Sequence, residues 1–292
     1  MNRIKVILYA AVSSSTFGLA PFFSITLLLA GFSAFEVLSY RWGVASIVLI
    51  VFGWLSGCNF RLAGKDWGVV FLLSLLRAVT SFSLIIAYQN IASGVASTIH
   101  FMYPLAVALA MMFFFREKKS LLVILAVLMS LLGAALLSLG ELEAKSGNTM
   151  VGLVAACVSV FSYAGYIVGV RTTRAVQINS TALTCYVMGL GTIFYLIGAY
   201  CTSGLQLVSD GYTWLIILGL ALPATAISNI TLVQAIKYAG PTLTSILGAM
   251  EPLTAVVIGV FVFKELFTVN SAVGIILILL AVSIVVFRRQ KS

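Results

Sequence analysis

Ten stretches of this chain stay apolar for the length needed to cross a bilayer, about 20 residues as helix. They fall at 4–29, 35–56, 67–89, 93–115 and 119–139, and again at 150–170, 181–202, 212–236, 242–263 and 267–287. Polar residues collect between them, and the longest connections, around 57–66 and 171–180, leave no room for a soluble domain. The pattern predicts an all-α integral membrane protein of ten transmembrane helices. The first run, behind Arg3 and Lys5, imitates a signal peptide, but it continues to about Leu29 without a cleavage pattern and reads as the first span.

Composition agrees with the pattern: 62% of the 292 residues are hydrophobic and 9% charged, against roughly 25% charged in soluble domains. The net charge of +9 would point to nucleic acid in a soluble chain; here it reports topology. Thirteen of the 17 Lys and Arg flank one side of the spans, among them Arg61, Lys65, Arg116, Lys118, Lys119, Arg171, Arg174 and Lys237. Only Lys145 and Lys264 flank the other, where Glu36, Glu141, Glu143, Asp210 and Glu265 gather, and Arg41 and Arg77 lie inside helices. Basic flanks stay cytoplasmic, so both termini are expected inside, in a cell (inner) membrane, with the bilayer as partner and no nucleic acid. Cys58, Cys157, Cys185 and Cys201 show neither a disulfide framework nor metal-ligand spacing, and no cofactor is expected.

A shift of 148 residues lays Ala87 on Ala235, Ser97 on Ser245, Met102 on Met250, Pro104 on Pro252, Arg116 on Lys264 and Glu117 on Glu265. The chain therefore divides into a repeat of five helices at 1–140 and a second at 149–292. Five passes per copy force the second copy to enter from the opposite side, and such inverted repeats suit alternating access around a midplane site.

The segment AYQNIASGVASTIHFMYPLAVALAMMFFFREK and its partner AIKYAGPTLTSILGAMEPLTAVVIGVFVFKEL resemble the drug/metabolite transporter superfamily, specifically its EamA-type two-repeat exporters. Phe17-Gly18 is similar to that family's aromatic-Gly motif, and Arg41 matches an arginine often seen in its second helix. Within the family the chain looks closest to YddG-like exporters. That resemblance implies export of aromatic and neutral amino acids.

The residues themselves suggest a binding site. Arg77 sits near the middle of the third span, where a charge costs at least about 2.5 kcal/mol and calls for a partner or a wet cavity; it could clamp a carboxylate or belong to a structural ion pair. Glu251 could pair with Arg77, bind an ammonium or take up a coupling proton. His100, the sole histidine, shares one helix face with Ser93, Ser97 and Pro104 and is a packing residue or a cavity ligand. Tyr163 and Tyr166, with Phe17, offer aromatic walls. Tyr88, Asn229, Ser97 and Ser245 add hydrogen-bonding groups that serve either the site or helix packing. Pro104 and Pro252 are expected to kink their helices at equivalent places, as hinges or as fixed bends. Gly165 and Gly169 form a GxxxG pair, a packing motif and weak evidence for a dimer; the oligomeric state is open.

Other function classes fit less well. There is no P-loop, HExxH or paired-carboxylate constellation, so ATP hydrolysis and membrane enzymology have no visible machinery. A channel would show rings of charge or carbonyl filters. Efflux of drug-like cations, with Glu251 as counter-charge, is the alternative within transport. The topology predicts a cytoplasmic C-terminus: a reporter fused at Ser292 that is active only outside the cytoplasm should stay silent, and its activity would refute the orientation.

Overall fold

The computed structural model describes residues 3–91, 93–117, 120–138, 147–202, 204–248, 250–254 and 268–291, and every regular element among them is helical. Helices α1 (Arg3–Phe17) and α2 (Ala20–Leu29) share the first apolar segment; α3 (Ala34–Leu55) and α4 (Trp67–Asn90) fill the next two. Helices α5 (Ser93–His100) and α6 (Tyr103–Phe114) divide the fourth, and α7 (Leu121–Ser138) is the fifth. In the second half come α8 (Thr149–Thr172), α9 (Ser180–Cys201) and α10 (Gly211–Ala221), the last joined through a π-helical turn at Leu222–Ile227 to α11 (Ser228–Ala239). Helix α12 (Pro241–Leu247), helical residues 250–254 and α13 (Val269–Lys291) complete the described chain.

Among the described residues seven segments are long and apolar enough to span a membrane: Ile7–Leu29, Ala34–Leu55, Gly64–Asn90, Val95–Phe114, Thr149–Thr172, Ser180–Cys201 and Gly211–Ala239. The fifth and tenth expected spans coincide with shorter apolar helices, Leu121–Gly133 and Ala272–Ile284. Of the ninth, only the first half is described. Lys264 and Glu265, which close the sequence repeat, lie outside the described residues, as do Lys118, Lys119, Glu141, Glu143 and Lys145.

Side chains stop the helices where the apolar runs end. Ser33 and Glu36 form a reciprocal capping box at the start of α3, satisfying two backbone amides that a helix N-terminus leaves open. Asn148, Asn179 and Asp210 cap α8, α9 and α10 by accepting from backbone amides of the first turn, without the reciprocal bond. Helix α4 packs along α8 and α1 along α11, while α3 lies on α9, α7 on α13 and α6 on α12. Exchanging the first five apolar segments for the second five maps this set of pairs onto itself: the α4–α8 pair becomes α11–α1, and the other three exchange their own members. That is how packing behaves around a two-fold axis.

The Gly165–Gly169 pair is used inside the chain. A Cβ on Gly169 would sit 2.7 Å from Leu73 Cδ2, and one on Gly165 would sit 3.5 Å from Leu76 Cδ1, so this face of α8 receives α4. The small residues let two helices approach closely, and the motif gives no support to a dimer.

Four segments break near the middle. The first turns at Gly18–Leu19, the fourth at Phe101–Met102 just before Pro104, and the ninth at Gly248 before the helical residues that hold Pro252. The eighth widens into its π-turn at Pro223, because proline supplies no N–H and crowds the carbonyl one turn back. Under the 148-residue shift the fourth and ninth breaks fall within two residues of each other. Gly18 is where the first segment meets the ninth: a Cβ there would fall 2.6 Å from the Glu251 carbonyl oxygen and 2.9 Å from Thr254 Cβ. Gly18→Ala should therefore lower thermal stability by about 1–3 kcal/mol, measured by unfolding in detergent. Gly64→Ala, where a Cβ meets nothing within 4 Å, should leave it nearly unchanged.

Candidate functional site

Arg77 of α4 is 1% exposed. Its Nε donates to Asn229 Oδ1 at 3.1 Å, and the Asn229 amide donates in turn to the Thr225 carbonyl at 2.7 Å. The guanidinium carbon stands 4.9 Å from the Tyr163 ring centre, 5.2 Å from Phe17 and 5.8 Å from Tyr166. Three aromatic faces thus stabilise the charge, each by about 0.5–2 kcal/mol. Nη1 is shielded from solvent and has no hydrogen-bond partner among the described residues.

Arg41 of α3, also buried, anchors the eighth segment. Its Nε donates to Thr225 Oγ1 at 2.7 Å, and that hydroxyl donates to the Leu220 carbonyl at 2.7 Å. Its Nη2 reaches the Ala224 carbonyl at 3.5 Å. The π-turn thus presents Thr225 to one arginine, and the start of α11 presents Asn229 to the other. Pro223, Thr225 and the anchoring part played by Arg41 are absent from the sequence reading. A signal existed, since Thr225 lies 148 residues after Arg77 and puts a hydroxyl where the first half has a guanidinium.

His100 closes the cluster from α5. Ser159 Oγ donates to the Ala156 carbonyl at 2.6 Å, so its oxygen accepts from His100 Nδ1 at 2.9 Å. This network assigns the proton to Nδ1 and leaves Nε2 a bare acceptor, buried and without a partner. The imidazole lies nearly parallel to Tyr163, 5.4 Å between centres, and Tyr103 meets Tyr163 edge-on at 4.6 Å. The Tyr103 hydroxyl occupies the space that the missing side chain of Gly248 leaves. Tyr166, fully buried, has no partner for its hydroxyl. Arg77 Nη1, His100 Nε2 and Tyr166 Oη are therefore three unsatisfied polar atoms on side chains that all pack around Tyr163. Buried polar groups are normally paired, and the concentration of these three in one place makes the cluster the candidate site.

The remaining candidates divide. Glu251 is buried near this cluster and interacts electrostatically with Arg77, Tyr103 and Tyr163. The ion pair with Arg77 that the sequence allowed is not formed among the described residues. Tyr88 Oη and Ser97 Oγ lie 3.4 Å apart, and Tyr88 also lines a small cavity with Phe17, Ser24, Arg41, Arg77 and Ser81. Ser245 spends its hydroxyl on the Thr242 carbonyl at 2.9 Å, within its own helix. Pro104 and Pro252 each follow a helix break, as described above.

A family model described as the EamA-like transporter family matches the chain twice, over residues 4–139 and 150–287. An uncharacterized transporter of Archaeoglobus fulgidus is 28% identical over 238 residues, 80% of this chain and 83% of the relative. A protein of known crystal structure, 17% identical, superposes with a TM-score of 0.78 over 96% of this chain and 95% of that one, which shows a shared fold.

The anchoring geometry predicts that Thr225→Val, similar in shape but without the acceptor for Arg41, costs about 1–3 kcal/mol by leaving a charged donor unpaired. Thr225→Ser should be nearly neutral. Unfolding of both variants in detergent checks this, and equal stability of Thr225→Val and wild type would remove Arg41 from the anchor.

Proposed function

The chain belongs to the EamA-like transporter family, and from that premise we propose that it exports small amphipathic metabolites, above all aromatic and neutral amino acids, by alternating access around Arg77. The observation that carries the reading is the buried, unpartnered Nη1 of Arg77 beside three aromatic rings. A substrate carboxylate supplies the acceptor that Nη1 lacks. Tyr163, Tyr166 and Phe17 receive an apolar or aromatic side chain, and the ammonium goes to the Glu251 carboxylate or the free Nε2 of His100. A drug-like cation fits less well, because it would enter beside two buried guanidinium groups.

Breaks at equivalent places before Pro104 and Pro252 support the hinge assignment, since a helix that is already interrupted can bend without losing further backbone bonds. Polar contacts seal both ends. On the face read as cytoplasmic, Thr242 Oγ1 donates to Glu117 Oε2 at 2.5 Å, Arg171 donates to the Lys237 carbonyl and Lys237 to the Ile178 carbonyl. On the other face Glu36 Oε1 accepts from the Gln206 amide at 2.6 Å, and the Asn148 amide donates to Asn90 at 3.0 Å. A carrier with both ends held and a buried centre matches an occluded step of such a cycle.

The test is concentration-dependent transport of labelled phenylalanine and alanine in liposomes, with counterflow to separate a carrier from a pore. Arg77→Gln should reduce transport at low substrate by about ten-fold to a hundred-fold, the loss of one charged hydrogen bond of roughly 1.5–3 kcal/mol. A folded Arg77→Gln protein with wild-type kinetics would overturn the carboxylate clamp. Flux that neither saturates nor shows counterflow would overturn the carrier.

A further inference from the structure

Arg41 and Arg77 bury two positive charges in one region, 5% and 1% exposed. Their guanidinium carbons lie 5.5 and 5.2 Å from the centre of the same Phe17 ring, so they are no farther apart than those two distances together. Both line the small cavity between α2, α3 and α4, and no Asp or Glu is among its lining residues. Neither buried acid, Glu36 or Glu251, forms an ion pair with them among the described residues. Glu36 gives one carboxylate oxygen to the Ser33 amide and the other to the Gln206 amide.

Charge balance follows. With Glu251 ionised, the centre still carries one positive charge in excess, and a zwitterionic amino acid adds no net charge. Buried like charges without a counter-ion are costly. Arg41 uses Nε well and Nη2 only at 3.5 Å, which leaves donors toward the cavity. Ser24, 2% exposed, adds a hydroxyl to its wall.

We propose that the cavity bounded by Phe17, Ser24, Arg41, Arg77, Ser81 and Tyr88 is a second anion subsite, which takes one small monoanionic group beside the carboxylate on Arg77. The group is either a free anion such as chloride or a second carboxylate of the cargo itself. The inference rests on the transport reading only for what occupies Arg77; anion binding to the purified protein stands apart from it.

The experiment begins with thermal unfolding of the purified full chain in chloride and in gluconate at equal ionic strength. Chloride should stabilise saturably, gluconate should not, and Arg41→Gln should raise the half-saturating chloride concentration by about ten-fold or more. Because Arg41 also anchors Thr225, Ser24→Asp gives an independent arm: a tethered carboxylate in the cavity should stabilise the protein in gluconate and abolish the chloride response. Liposome transport then separates the two sources. Neutral amino acid transport that needs chloride identifies a free anion; faster transport of dicarboxylic amino acids, with chloride as competitor, identifies the second carboxylate. Absence of saturable chloride stabilisation, together with an Arg41→Gln protein that moves mono- and dicarboxylic amino acids with wild-type kinetics, would overturn the subsite. Loss of transport in Arg77→Gln with the chloride response intact would leave the subsite standing and bear only on the clamp.

Discussion

The architecture turns on keeping the charge of Arg77 inside an apolar bundle. A buried guanidinium requires compensation, and the fold supplies it from two directions: an amide from α11 and rings from α1 and α8. Each source constrains an element. Asn229 faces Arg77 from below the π-turn, Phe17 ends α1 where the segment breaks, and Tyr163 and Tyr166 lie along the face of α8 that packs against α4. The helix breaks of this protein are thus concentrated around one buried charge.

The scaffold is repeated but its lining is not. Under the 148-residue shift Arg77 corresponds to Thr225, His100 to Gly248 and Tyr103 to Glu251. In one of these pairs the partners connect in space, because Asn229 joins the Arg77 guanidinium to the Thr225 backbone, while Tyr103 reaches the room above Gly248, the counterpart of His100. At these three positions the first half contributes a guanidinium, an imidazole and a phenol, and the second a hydroxyl, a glycine and a carboxylate.

Several residues of the cluster could be read directly from the chain. Arg77, Glu251 and His100 stand out because polar side chains are scarce in apolar runs, and the repeat picked out the two prolines. Ser97 and Ser245 look equivalent by the same repeat, yet one lies near Tyr88 and the other bonds back along its own helix. The Gly165–Gly169 spacing suggested an interface, and the interface proved to be with α4 of the same chain. Spacing identifies the face of a helix that is smooth; it does not identify what fills it.

The sequence by itself determined the all-helical membrane class, the two-fold repetition and the breaks beside Pro104 and Pro252, because each follows from local rules: hydrophobic length, recurring residues and the chemistry of proline; the breaks at Gly18–Leu19 and Pro223 were not read from it. Family membership was legible for the same reason, through motifs fixed along the chain. Only the tertiary structure decided which polar atoms are spent and which are left. Arg41 became an anchor because Thr225, distant in sequence, turns toward it through a π-turn. His100 kept a bare nitrogen because Ser159 had already given its proton to Ala156. Hydrogen bonds saturate, and which partner saturates a group depends on distances between segments that no periodicity encodes.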